Sequence, residues 1–386
     1  MTRTPDCTLS DRLVELIADE GFDALPELMR IMINAAMQAE RQQHLQAAPY
    51  ERTEERRGYA NGFKPKTMTT RIGKVTFAVP QVRDGSFYPQ ALEKGLRSER
   101  ALTLALAEMY VQGVSTRKVA AITEQLCGVE LTSTQVSRAA AQLDTVLEQW
   151  RTRPLGVTPY LLLDARYEKV RIDGQVRDAA VLIAMGITAD GKRTILGVSV
   201  SVSEQEVHWR QFLQSLLARG LSGVQLITSD AHTGLQAARV ACFGGIPWQR
   251  CQFHLQQNAQ AYVPRQDLKA EVAADIRAIF TAPNRLEADA LLARTVQKYA
   301  KTASKLATWL ETAIPEGLTV FATPPAHRQR LRTVNGLERL NQEIRRRTRV
   351  VGVFPNEASC LRLVSALAME ASDEWEAGTI YLSLIN

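Results

Sequence analysis

Two short apolar runs that each close on an aspartate constrain this chain more than any other feature: YLLLD at 160–164 and GVQLITSD at 223–230. Short uninterrupted apolar runs suit strands buried on both faces, as in the middle of an α/β sheet. The carboxyl ends of such strands are where open α/β sheets bind their ligands. An aspartate at each of two strand ends is therefore the first candidate site, with Asp164 and Asp230 as its residues.

The chain between and around these runs has a definite order. KVRI, QVRDAAVLIAMGI and KRTILGVSVSV read as three strands joined by Asp-Gly turns at 173–174 and 190–191. EVHWRQFLQSLLARG reads as a helix stopped by Gly220, GLQAARVACF as a second helix, and WQRCQFH follows it. Antiparallel strands, helix, strand, helix, strand is the order of a ribonuclease-H-like core. Residues from about 260 to 330 read as a helical insertion, so the expected catalytic domain spans 154–386.

Upstream, residues 1–95 read as helices followed by a basic, turn-rich stretch. Leu13, Leu16 and Ile17 mark the first helix, and Leu28, Met32 and Ala35 the second. Strand-like runs follow near 67–72 and 74–79, with Lys64 and Lys66 beside Tyr59 and Phe63. Basic residues among aromatics suit a nucleic-acid backbone, although a solvated loop face has the same composition. In 96–153, STRKVAAITEQLCG and LTSTQVSRAAAQLDTVLEQW read as two helices with a short turn between them. Val119, Ile122 and Leu126 form one stripe, and Val136, Ala140, Leu143 and Leu147 the other. Gln135, Arg138 and Gln142 then share an exposed face, as in a helix-turn-helix that reads the major groove. Many helical hairpins share that outline and never touch DNA.

Two adjacent carboxylates resist joint ionisation unless a cation lies between them. Mg²⁺ or Mn²⁺, with a preference for oxygen ligands, suits such a pair, and two ions would suit phosphodiester chemistry. A third acid is expected in RTVNGLERLNQEIRRRTRVVGVFPN, where Glu338 and Glu343 are both available. Glu338 shares a helix face with Asn341 and Arg345. The competing explanation is a capping box with Asn335. For Asp230 the competing explanation is a cap on the helix beginning near Gly234. Arg345, Arg346, Arg347 and Arg349 form the densest positive cluster, suited to a DNA backbone or to a solvated face. Cys251 and His254 form a C-x₂-H pair without a partner pair for zinc. His232 could meet a phosphate or pack beneath the site, and Trp209 reads as core.

Composition narrows the classes without deciding among them. Lys and Arg number 47 against 41 acids, a net charge of +6, which permits a polyanionic partner without demanding one. Five scattered cysteines argue against a disulfide framework and for a reducing cytoplasm. Acidic residues in the first apolar stretch exclude a signal peptide, and no run suggests a membrane span. Nothing resembles a P-loop, a dinucleotide fingerprint or G-x-S-x-G.

Together the motifs resemble the Mutator-like transposases of bacterial insertion sequences. YLLLDARYEKVR, LITSDAHTGLQAA, WQRCQFHLQQNA and TVNGLERLNQEIRRRTRVVGVFPN carry the resemblance. GYANGFKPKT, DGSFYPQ and STRKVAAITEQLCG extend it over nearly the whole chain. It implies that Asp164, Asp230 and Glu338, rather than Glu343, are the metal ligands. It also implies an N-terminal portion that recognises terminal inverted repeats, and at least a dimer when two DNA ends are paired. Cys251 and His254 match a family signature whose expected role is to support the wall of the site. Alternatives are a retained, non-catalytic DNA-binding regulator, or another nuclease on the same fold.

Overall fold

The computed structural model describes residues 9–92, 94–96 and 98–384. It divides into two compact units, Met1–Gln142 and Leu143–Asn386. Among the described residues no helix is long and apolar enough to cross a membrane.

The first unit contains α1 (Leu9–Glu20), α2 (Leu25–Leu45), the hairpin β1 (Ala60–Thr70) and β2 (Gly73–Val82), then α3 (Arg100–Val111), α4 (Thr116–Cys127) and α5 (Ser133–Ala141). Helix α2 lays Met29, Ile33 and Met37 on Met68, Val75, Phe77 and Val79 of the hairpin. The stripe expected through Met32 is therefore displaced, and Met32 is exposed. Leu102, Leu106, Val119, Val136 and Ala139 bind α3, α4 and α5 into a separate small core. Leu126 lies outside it and is exposed. Ser115 caps α4, and Thr132 with Gln135 forms a capping box on α5.

The single long helix expected up to Trp150 breaks at Gln142. Its second part, α6 (Asp144–Thr152), belongs to the second unit. Arg362 forks onto both carboxylate oxygens of Asp144 at 2.7 Å, and Arg151 donates to Ser365 at 2.9 Å. The second unit thus begins at Leu143, eleven residues before the start at 154 drawn from the sequence, and tertiary pairing interrupts a continuous helical pattern.

The second unit is built on five strands: β3 (Tyr160–Ile172), β4 (Gln175–Ile187), β5 (Arg193–Ser201), β6 (Leu226–Ser229) and β7 (Trp248–Arg250). Their spatial order is β5-β4-β3-β6-β7. The β5-β4-β3 half is antiparallel, and β6 and β7 add in parallel. YLLLD and KVRI are one strand rather than two. Asp164 therefore sits within β3 and not at its end, and the apolar run stops there because the rest of β3 is only partly covered.

Helices α7 (Glu206–Ala218) and α8 (Thr233–Phe243) cover one sheet face, where Leu161, Leu163, Leu182 and Leu196 meet Trp209, Phe212, Leu216 and Leu235. Trp209 is wholly buried, as expected of core. After β7 come α9 (Gln252–Ala259), α10 (Lys269–Phe280), α11 (Arg285–Tyr299), α12 (Ser304–Ala313) and α13 (Pro325–Leu331), with no strand among the described residues. The chain then forms α14 (Asn335–Val351) and α15 (Glu357–Ala377). Both contact the sheet, α14 beside β3 and α15 beside β3 and β5.

Candidate active site

Strand register brings the two aspartates level. Leu162 of β3 pairs in parallel with Thr228 of β6. Side chains alternate across a sheet, so two residues further on the same face come Asp164, within β3, and Asp230, just past the end of β6. Leu161 and Leu163 face α7 and α8, which turns Asp164 toward the opposite face. There Asn341 of α14 donates from Nδ2 to Asp164 Oδ2 at 2.7 Å. Arg166, on the same face of β3, donates to the Asn341 carbonyl and pairs with Glu168 at 2.5 Å. Thr348 Oγ1 adds a bond to Glu168 at 3.1 Å. These contacts fix the rotation of α14 over β3.

Helix α14 can approach the sheet closely because Gly336 lacks a side chain. A Cβ there would stand 2.9 Å from Met185 Cε. The competing capping box is absent. Val334 occupies the cap position without a side-chain bond, and Asn335 is already inside the helix. Glu338 is free of that duty and lies in the first turn, where the helix dipole favours an anion. Its Oε1 is buried without a hydrogen-bond partner, as is Asn341 Oδ1. Glu343 is committed elsewhere: Arg346 and Arg347 both bond it, and they hold its carboxyl down at about 2.

Asp230 does not cap α8 either. The cap position is His232, and Asp230 Oδ1 accepts instead from Ala231 N–H at 2.7 Å. Burial pushes the Asp164 carboxyl up to about 7 against the pull of the Ala165 N–H, and Asp230, Glu338 and Glu204 push the same way. Glu204 was not legible as a site residue. It sits in the turn before α7, receives the Tyr167 hydroxyl at 3.1 Å and lies 3.7 Å from His232 Nδ1. The turn is pressed against the start of α8, where a Cβ on Gly234 would fall 2.4 Å from the Glu204 carbonyl oxygen.

Cys251 and His254 separate in role. Cys251 is buried at the start of α9, its thiol pushed up to about 11 by burial while accepting N–H groups from His254, Val334 and Phe253. A neutral thiol of this kind is a poor zinc ligand. It is instead a joint between α9 and the residue that precedes α14, reinforced by Gln252 N–H on the Arg332 carbonyl at 3.0 Å. His254 packs edge-on against Phe253, and its Nδ1 is buried without a partner.

Among the described residues no three His, Cys, Asp or Glu side chains stand ready to hold a metal ion. The donor chemistry nonetheless fits a hard cation. Asp164, Asp230 and Glu338 supply oxygens, and unsatisfied buried acceptors beside mutually repelling carboxylates are what a cation relieves.

The residues expected to meet DNA are dispersed. Arg345, Arg346 and Arg349 are exposed on α14, but Arg347 is buried. A helix turns too fast for a run of arginines to share one face, so the cluster is not a single surface. Lys64 is exposed, whereas Lys66 donates to Tyr88 at 2.8 Å. Much of the basic–aromatic interleaving is internal stacking, with Arg41 over Phe63 and Arg56 over Tyr59. Arg138 is exposed; Gln135 is exposed too, but its Oε1 is held by the Thr132 N–H at 2.8 Å.

The family model for "Transposase, Mutator family" matches residues 2–378. The chain belongs to the Mutator family of transposases. Its relatives include a transposase for insertion sequence element IS406 of Burkholderia multivorans, 61% identical over 95% of this chain and 95% of that protein. The transposase for IS1081 of Mycobacterium tuberculosis is 39% identical over 96% of this chain and 91% of its own length. The transposase for IS256 in transposon Tn4001 of Staphylococcus aureus is 38% identical over 92% and 91%. A chain of a simian T-cell lymphotropic virus intasome complex is distantly similar, 11% identical with a TM-score of 0.17 over 54% of this transposase and 67% of that chain.

Proposed function

We propose that this Mutator-family transposase serves an insertion sequence, cutting and joining DNA ends at Asp164, Asp230 and Glu338 on a ribonuclease-H-like core. The observation that carries this reading is the parallel register that sets Asp164 and Asp230 level, with the unsatisfied Glu338 in the first turn of the helix bonded to Asp164. The strand order β5-β4-β3-β6-β7, antiparallel then parallel, supports the core assignment.

The three acids would hold two Mg²⁺ or Mn²⁺ ions, which when bound supply charge to steady attacking and leaving oxygens. Asn341 orients Asp164 by donating to Oδ2 and leaves its other oxygen for a ligand. The α14 backbone is in turn held through the Arg166 bond to the Asn341 carbonyl. Water attack at the element end frees a 3′-hydroxyl, and that hydroxyl attacks a phosphodiester of the target strand. Both steps are in-line displacements at phosphorus, so one set of carboxylates serves both. No covalent protein–DNA intermediate is required. The N-terminal unit would recognise terminal inverted repeats through α5 and the β1–β2 hairpin, and pairing of two ends calls for at least two copies of the chain.

The test is an assay on labelled DNA bearing the element's ends, with and without Mg²⁺, comparing wild type with Asp164→Ala. Metal-dependent nicking and joined products, lost in the variant while binding persists, are expected. Specific binding by wild type without cutting or joining would point to a retained regulator. Cutting without joining would point to a simple nuclease.

A further inference from the structure

Along α13 and the start of α14 lies a cleft of about 420 Å³ lined by four arginines. Arg193 enters it from β5, Arg330 from α13, Arg332 from the turn that follows, and Arg339 from α14. No carboxylate among the described residues lines it. Among the described residues none of these four guanidinium groups forms an ion pair or a side-chain hydrogen bond.

Four cations gathered without a counter-charge are costly unless an anion joins them. The fold nonetheless holds them in place. Arg193 lies between the rings of Trp375 and Tyr381, at 4.5 and 4.4 Å, and Arg330 shares the Tyr381 ring at 4.7 Å. Burial lowers the affinity of Arg193 for its proton, and Arg330 and Arg339 add to that strain.

The cleft does not end at Arg332. Arg332, Thr333 and Asn335 also line a second cleft, which continues to Arg277 of α10 and Phe253 of α9. Phe253 is 48% exposed, an open ring beside a cation. Arginines spaced along an open groove with an exposed aromatic at one end match a polyphosphate strand better than a single small anion. Glu338 precedes Arg339 on α14, so the carboxylate and one wall of the groove are carried by the same helix.

We propose that the groove formed by Arg193, Arg330, Arg339, Arg332 and Arg277 is the track for one DNA strand, with phosphates on the arginines and a base on Phe253. The assignment rests on the reading that the substrate is DNA.

The experiment measures binding of the full-length protein to a fluorescein-labelled DNA duplex by anisotropy across a salt series. Arg330 and Arg339 are both exposed, so Arg330→Gln with Arg339→Gln tests the groove without disturbing a core. Loss of two phosphate contacts lowers the slope of log affinity against log salt by roughly 2, because each releases about 0.9 counterions. Wild-type protein modified with phenylglyoxal, with and without the duplex, supplies a readout that needs no variant. DNA is expected to protect Arg330 and Arg339. An unchanged salt slope in the double variant, or equal modification of both arginines with and without DNA, would overturn the groove. Failure of wild type to bind DNA at all would remove the transposase reading and the groove with it. Binding by wild type that retains its slope in the double variant removes the groove alone.

Discussion

The start of α14 separates two surfaces that are incomplete in opposite senses. On one side stand Asp164, Asp230, Glu338 and Asn341, where Glu338 Oε1 and Asn341 Oδ1 lack donors. On the other stand Arg193, Arg330, Arg332 and Arg339, which form no ion pair or side-chain hydrogen bond among the described residues. They do not neutralise one another. A protein optimised only for stability would let such groups pair; on the proposed reading, keeping them apart would reserve one wall for cations and the other for phosphates. Each wall is legible as functional mainly because the other leaves it unsatisfied.

The sharpest way to break the comparison is to remove one acid. Glu338→Gln is expected to reduce DNA cleavage by about 10³-fold or more, whereas Glu343→Gln, already spent on Arg346 and Arg347, should change it less than about tenfold. Single-turnover cleavage of a labelled duplex reads both. A large loss in Glu343→Gln with little in Glu338→Gln would mean that the acids on α14 have been assigned the wrong way round.

The second effect concerns stability and pH. The Asp164 carboxyl titrates near 7 in the fold, well above its range in an unfolded chain. The folded state therefore holds the proton more tightly. The resulting stabilisation is complete below the ordinary carboxylate range and is lost as pH climbs through about 7. Its upper bound is about 4 kcal/mol. Without metal, the Tm of wild type should fall from pH 5 to pH 8 relative to Asp164→Asn. Mg²⁺ at pH 8 should raise the wild-type Tm more than that of the variant. Parallel behaviour of the two proteins would mean that Asp164 feels no such strain.

Smaller effects test the scaffold. Gly234→Ala sets a Cβ against the Glu204 carbonyl and should cost about 2–3 kcal/mol in urea unfolding, carrying Glu204 away from the site. Cys251→Ala leaves the start of α9 and Val334 without their sulfur acceptor, at about 1–2 kcal/mol, and Cys251→Ser should recover part of it. No recovery would mean that sulfur volume, not acceptance, is what matters. Gly336→Ala meets only the flexible end of Met185 and should cost about 1 kcal/mol.

Sequence patterns revealed what depends on neighbours along the chain. The apolar runs before Asp164 and Asp230 are strands, and the amphipathic stretch bearing Glu338 is a helix. What escaped depends on the third dimension. Asp164 reads as a strand end because the apolar run stops there, yet β3 continues into a partly covered hairpin. Glu204 lies in a turn with no periodicity and joins the site only because Gly234 lets α8 press against it. The arginine density at 345–349 drew attention, but helical geometry buries Arg347. The four arginines of the groove are scattered over β5, α13, α14 and a turn, so no window of sequence contains them together.

The tail after α15 ties back to the sheet: Tyr381 and Leu382 each donate to the Gly191 carbonyl at 3.0 Å, and the Ser383 carbonyl lies 2.7 Å from His327 Nε2. Tyr381 is thereby one wall of the arginine groove. For anyone preparing this protein, the placement of a purification handle is consequently not neutral. A handle inserted between Gly378 and Ser383 would pull Tyr381 away from Arg193 and Arg330, so it would alter the groove it was meant to leave untouched.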